Sequence, residues 1–357
     1  MIMVKNVNHK LLYKQDQLPI FQNRMYETKA EAIACPKADI RLVEDLDTGL
    51  VYNSQFKSEL MNYDSNYQNE QALSQRFKEH LQSVSRIIER SIGRSNLVEV
   101  GCGKGYFLEV LLNSGFDITG FDPTYEGDNE RVRRCYFDPN SGILAEGLIL
   151  RHVLEHIKEP VDFLFQLSEA NGMKGRIYIE VPCFDWICAH KAWFDIFYEH
   201  ANYFRLTDFS RFFGEVIESG HLFGGQYIYV VAELASLRIP KRDSNDPVFF
   251  PEDFNSNLPR SSAGHPNSIA IWGGASKGVI FSLLMERVGV EVCTVIDINP
   301  AKQGRFLPAT GFLVNSPEEV LPMLETGSDL YVMNSNYFEE IKKLSFNRFN
   351  YIRIDHE

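Results

Sequence analysis

Sustained apolar runs, paired cysteines and basic patches are all missing from this chain, and each absence narrows what it can do. No stretch approaches the roughly 20 apolar residues that span a bilayer, so no membrane segment is expected. The opening Met1-Ile-Met-Val-Lys5 leads into no continuous apolar run, so no secretory signal is expected either. The six cysteines (35, 102, 135, 183, 188 and 293) are scattered without a C-x-x-C pair, which points to reduced thiols in the cytoplasm. The formal net charge is −12, and the basic cluster Arg131-Val-Arg-Arg134 is short, as a solvated helix end or loop would be. Nucleic acid is excluded as a substrate, because binding phosphates needs a concentrated basic footprint.

What is there is globular: 44% hydrophobic and 24% charged residues in a chain of 357. That length exceeds one ordinary core and implies two or three domains. Residues 1–75 mix strand-like pieces (39–43 and 49–52) with turn-rich connectors and read as a small N-terminal lobe. Phe77, Leu81, Val84, Ile87 and Ile88 recur at helical spacing, predicting a helix over 74–92. Strands are then predicted at 97–100, 118–121, 147–150 and 176–181, alternating with helices as in a doubly wound parallel sheet. A late strand at 226–232 fits an edge hairpin. Residues 76–240 therefore form an α/β, Rossmann-like domain. Pro, Ser, Asn and Asp crowd residues 243–266, so 241–266 reads as a linker. From 267 to 357 the grammar repeats, with a strand at 268–272, the loop Gly273-Gly-Ala-Ser-Lys-Gly278, a helix, and a strand ending in Asp297. No full-length sequence repeat accompanies it. This second Rossmann-like domain offers backbone N–H groups and Lys277 to an anionic group such as a diphosphate. An empty site in a packing or dimerisation module is the alternative.

The richest stretch is Leu97-Val-Glu-Val-Gly-Cys-Gly-Lys-Gly-Tyr-Phe107, followed by a helical run and a strand ending in Asp122. Gly101, Gly103 and Gly105 let the backbone turn sharply and approach a ligand closely. Asp122, 23 residues after Glu99, is placed to accept the ribose hydroxyls of a nucleoside. A dinucleotide loop would read G-x-G-x-x-G. Here the spacing is G-x-G-x-G behind a carboxylate, which repels a pyrophosphate and suits a ligand carrying an ammonium and a sulfonium. The pattern resembles the first motif of class I S-adenosylmethionine-dependent methyltransferases. That resemblance implies S-adenosylmethionine as cofactor, S-adenosylhomocysteine as product, and Glu99, Gly101, Gly103, Gly105, Asp122 and Pro123 as donor-binding residues.

In that class the segment matching Arg151-His-Val-Leu-Glu-His156 lines the donor pocket, which makes His152 a further donor-site candidate. The run is expected to open a helix with His152 and His156 on one face, where capping and packing are the plainer roles. Metal binding there would want another carboxylate or histidine aimed at the same point, and the sequence singles out none. Residues 193–204 interleave six aromatics with Asp195, Glu199 and His200. A histidine–carboxylate pair in an aromatic pocket fits proton abstraction, with the carboxylate fixing the imidazole tautomer. A core helix with a merely satisfied histidine is the bland alternative. Tyr63-Asp-Ser-Asn-Tyr67 is read as a lid or acceptor wall, with Tyr63 and Tyr67 as contacts.

Glu180-Val-Pro182, the Tyr-Glu-His-x-x-Tyr-Phe run at 198–204, Gly224-Gly-Gln-Tyr227, Trp272-Gly-Gly-Ala-Ser-Lys-Gly278 and Asp297-Ile-Asn-Pro-Ala-Lys-Gln-Gly304 together resemble the sugar C-methyltransferase family. The likeness runs in order along nearly the whole chain. It implies methylation of a carbon beside a ketone on a nucleotide-linked deoxysugar, for a polysaccharide or secondary metabolite. It also implies His200 as base, assisted by Glu199 and Tyr198, and an acceptor site including Tyr63, Tyr67, Asp195, Tyr203 and Lys277. The sequence departs from the family at Phe197-Tyr198, where Tyr-His is usual, and in its N-terminal lobe. There the family's four zinc thiolates are replaced, with Gln22, Glu44 and Asp47 in their neighbourhood and Cys35 alone, so no metal is expected. Two alternatives stay open: O- or N-methylation of a sugar or other metabolite, and a non-catalytic scaffold. The partners expected are a small-molecule acceptor, no nucleic acid and no membrane, with the chain a monomer or homodimer.

Overall fold

Every position of Leu97–Val100 is buried, as required of a strand covered on both faces. In the computed structural model, which describes residues 8–62, 66–67, 71–258 and 268–355, this strand lies inside the largest of three sheets. The N-terminal lobe comes first in the chain. Strands β1 (His9–Pro19), β2 (Lys37–Asp45) and β3 (Val51–Asn53) pair antiparallel. Sequence reading finds β2 and β3 but not β1. Register shifts at Leu11/Tyr13 and Gln15/Leu18 break the alternation by which a strand is recognised.

The central sheet contains β4 (Leu97–Val100), β5 (Ile118–Phe121), β6 (Val132–Arg133), β7 (Gly147–Arg151) and β8 (Arg176–Pro182), all parallel. The short β9 (Asn202–Tyr203) leaves this domain to pair with β3 of the N-terminal lobe. β10 (Val216–Leu222) and β11 (Tyr227–Glu233) form the antiparallel hairpin that completes the order β10-β11-β8-β7-β4-β5-β6. Arg131–Arg134 is thus in part the edge strand β6 rather than a helix end, with Arg133 stacked on Phe121. The helix Gln75–Ser91 is capped by the Ser74 side chain and buries the five predicted apolar positions against this sheet.

The third sheet is entirely parallel, in the order β14-β13-β12-β15-β16. Its strands are β12 (Ser268–Trp272), β13 (Glu291–Ile296), β14 (Val314–Asn315), β15 (Asp329–Val332) and β16 (Asn350–Arg353). Residues 243–258 are not a free tether. Val248 and Phe254 are buried, and the rings of Phe250 and Phe254 pack on Tyr13 of the N-terminal lobe. No helix among the described residues is long and apolar enough to cross a membrane.

Both parallel sheets reverse strand order beside their first strand: β4 has β5 on one side and β7 on the other, and β12 has β13 and β15. Crevices open at the carboxyl ends of strands at such reversals. These two crevices face each other, and the candidate site lies between them.

Candidate functional site

A cavity of about 420 Å³ is lined from one side by Glu99, Gly101, Gly103 and His152, and from the other by Gly273, Lys277, Asn299 and Asn334. The N-terminal lobe closes it with Asn23 and Tyr67. Asn23 links two walls: its Nδ2 donates to the Tyr67 hydroxyl at 3.3 Å, and its Oδ1 accepts from Ser276 Oγ at 3.2 Å.

In the loop after β4, Gly101, Gly103 and Gly105 all have positive φ (73°, 54° and 78°), which is the conformation the turn requires. A Cβ on Gly101 would meet Val153 Cγ2 at 2.6 Å, whereas one on Gly103 would meet nothing within 4 Å. Glu99 is buried, and its Oε2 finds no hydrogen-bond partner among the described residues. Burial, with Asp122 adding to it and Arg151 opposing, pushes its carboxyl up to about 7. Asp122 does not line the cavity. Its Oδ2 accepts from Gly103 N and its Oδ1 from Thr124 N and Oγ1, all at 2.8 Å, so it braces the glycine loop. Gly105 and Pro123 likewise stand behind the wall rather than in it.

The Arg151–His156 run departs from expectation. His152 has φ +51°, and only a 3₁₀ turn (Leu154–His156) follows before the helix begins at Pro160, so the two histidines share no helical face. His152 instead joins a buried network around Glu180, which sequence reading placed in no site. Glu180 Oε1 meets His80 Nε2 (3.1 Å), Arg151 Nη2 (3.1 Å) and His152 Nε2 (3.0 Å), while Oε2 accepts from the Tyr178 hydroxyl at 2.6 Å. Burial alone would raise the Glu180 pKa, yet Arg151, His80 and His152 hold it well below the usual range. Burial works equally against the His152 cation, but Glu155 and Glu180 hold its pKa up at about 9. The signal available was the one that found Glu99: a carboxylate closing an otherwise apolar strand.

Residues 193–204 form a 3₁₀ turn and irregular chain ending in β9, not a core helix. The β3–β9 pairing, with Asn53 N donating to Ala201 O at 2.8 Å, anchors the segment just after Glu199 and His200. Both residues are buried and line the cavity. Burial, then His156 and His152, keep the His200 pKa well below normal, so its ring is neutral, and Nδ1 has no partner among the described residues. Burial pushes Glu199 up to about 8. The Gln22 amide and Tyr67 hydroxyl oppose this, though neither closes a hydrogen bond to it within normal geometry.

Tyr198 and Tyr203 lie outside the cavity lining. The Tyr198 hydroxyl donates to Gln55 O and accepts from Lys57 N, both at 3.0 Å. That of Tyr203 donates to Phe197 O (3.0 Å) and accepts from Phe197 N (3.1 Å). Each hydroxyl thus donates to one backbone group and accepts from another, bonds that hold the segment's shape. Lys277 and Asp195 do line the cavity, but Lys277 Nζ is 3.0 Å from Asp195 and 3.1 Å from Gln226 Oε1, above the Trp186 ring. They clamp the C-terminal domain to the central one. Asp297 is similarly engaged, accepting from Gly274 N and Lys302 Nζ. Tyr63 lies outside the described residues. In the N-terminal lobe, Glu44 pairs with Arg242 at 2.8 Å, and Gln22 Nε2 donates to Pro19 O.

Residues 72–216 match the family described as a methyltransferase domain, from just before the Gln75–Ser91 helix to the start of β10. No curated protein matches the sequence significantly. Among solved structures, the 1,6-didemethyltoxoflavin-N1-methyltransferase of Burkholderia thailandensis is 18% identical, with 46% of this chain and 79% of that one covered and a TM-score of 0.33. The plantazolicin methyltransferase BpumL gives 16%, 47%, 88% and 0.36 in the same order. The N-methyltransferase NodS from Bradyrhizobium japonicum WM9 gives 13%, 44%, 96% and 0.32. Scores this low leave the domain match as the finding that bears on this chain.

Proposed function

We propose that this chain, an S-adenosylmethionine-dependent methyltransferase, adds its methyl group to the carbon beside the ketone of a nucleotide-linked keto-deoxysugar. The observation that carries the reading is His200, a buried neutral imidazole with an unpartnered ring nitrogen in a cavity shared with the glycine loop. Glu99 accepts the donor's ammonium, and the open side of Gly103 admits the donor without a Cβ in the way. The His200 lone pair takes a proton from the carbon next to the ketone, leaving an enolate. That carbon attacks the sulfonium methyl; the new C–C bond forms as the methyl–sulfur bond breaks, and S-adenosylhomocysteine leaves as a neutral thioether. No covalent enzyme intermediate is needed, because catalysis rests on proximity and a placed base. Tyr67 and the Lys277–Asp195 pair supply the acceptor wall.

The deciding experiment is solvent deuterium exchange at the carbon beside the ketone of candidate nucleotide-linked keto sugars, without donor. Exchange that requires His200 is expected. Methylation of the same sugar without any exchange would assign the acceptor to a hydroxyl or amine.

A further inference from the structure

From the geometry we infer that Glu155, His156 and His200 form a binding site for a divalent transition-metal ion at the acceptor end of the cavity. Each offers a ligand atom, and the three atoms lie within 4.8 Å of one another. They belong to two segments joined by His156 Nδ1 donating to Glu199 O at 2.8 Å and Asn202 Nδ2 donating to Ile157 O at 2.5 Å, which is why neighbouring sequence gave no sign of the third ligand.

Several independent features fit a cation. Glu155 is 1% exposed and its Oε2 has no partner among the described residues; the same holds for Nδ1 of His200, 6% exposed. Leaving such groups bare inside a protein costs roughly 1–3 kcal/mol each. Their outer contacts are those of metal ligands. His156 Nδ1 lies 2.8 Å from Glu199 O; only a protonated nitrogen can donate there, which puts the ring's lone pair on Nε2. His152 Nδ1 donates to Glu155 Oε1 at 3.3 Å and leaves the other carboxylate oxygen for the ion. Glu199, whose oxygens close no hydrogen bond among the described residues, lines the same cavity beside His200.

Two imidazoles and one carboxylate select a borderline cation such as Zn²⁺ or Fe²⁺ over Mg²⁺ or Ca²⁺. Bonds of about 2.0–2.1 Å in a tetrahedron put ligand atoms roughly 3.3 Å apart, so modest side-chain closure completes the site. All three residues line the cavity. A neutral imidazole has a single lone pair, so metal and proton compete for His200. On the base assignment made above, which this consequence presupposes, metal occupancy silences carbon deprotonation.

The test is titration of the chelator-treated full chain with Zn²⁺ by calorimetry and with Co²⁺ by visible absorption. One equivalent is expected to bind, with cobalt bands of a low-coordinate nitrogen–oxygen site. His156→Ala and Glu155→Gln should each weaken binding at least about tenfold, with circular dichroism confirming the fold. Adding the ion to the chelator-treated chain should raise its melting temperature, because a ligand bound only by the folded state stabilises it. Absence of binding at micromolar metal overturns the site, as does binding that a folded Glu155→Gln variant leaves unchanged. If His200→Ala retains turnover, the base assignment fails, and the cobalt spectrum still decides the metal site.

Discussion

Side chains deep in the cleft carry charges that burial makes costly, and their titration is where single residues speak most clearly. Glu99 has its carboxyl raised to about 7, first by burial. Only the ionised form accepts the donor's ammonium, so donor affinity should climb as pH rises through about 7 and level off above it. Calorimetry over about two pH units on either side should show that slope in the wild type and none in Glu99→Gln. His200→Ala should lower turnover by about 10²–10⁴-fold, the usual worth of a placed base, while donor affinity stays near normal. Full activity in that variant, or loss of the fold instead of the rate, would remove His200 from the chemistry.

At the scale of elements, the glycine loop and the β9 pairing set the site's shape. Gly101 and Gly103 both need positive φ, but they differ in what surrounds them. Gly101→Ala drives its Cβ into Val153 and should cost stability as well as donor binding. In Gly103→Ala the Cβ points to open space, leaving about 1–2 kcal/mol of left-handed strain and a methyl group in the donor's path. Thermal melts and donor calorimetry on the pair should therefore diverge: both lose affinity, and Gly101→Ala melts lower. Equal melting temperatures would show that the Val153 contact relaxes without cost.

Across the whole molecule, three lobes meet at one cavity, and the Lys277–Asp195 ion pair ties two of them together. Both side chains are about 15% exposed, too dry for the pair to be negligible. Lys277→Met should raise the acceptor KM by roughly an order of magnitude, as expected for a lost charge-assisted contact of about 1–3 kcal/mol. The donor dissociation constant should stay unchanged, since the donor loop lies on the opposite wall. A donor site that weakened in parallel would mean the clamp orders the entire cleft.

Much of this was legible in one dimension. The apolar runs and spaced glycines determined both α/β domains, because strand, tight turn and helix are local consequences of side-chain pattern and backbone freedom. Glu99 announced itself because a carboxylate ending an apolar strand has no packing reason to be there. Glu180 obeys the same rule, yet its partners come from two segments distant in sequence, His80 from one and Arg151 and His152 from the other, and no local pattern records such a meeting. The strand β1 escaped because its bulges scramble the alternation. Sequence reading gave Tyr198 a share in catalysis and Tyr203 a place in the acceptor site, but not the backbone carbonyl to which the fold makes each hydroxyl donate. Convergence of Glu155, His156 and His200 was decided by tertiary structure alone, because hydrogen bonds between segments 43 and 45 residues apart, His156 to Glu199 O and Asn202 to Ile157 O, set where a short loop places its imidazole.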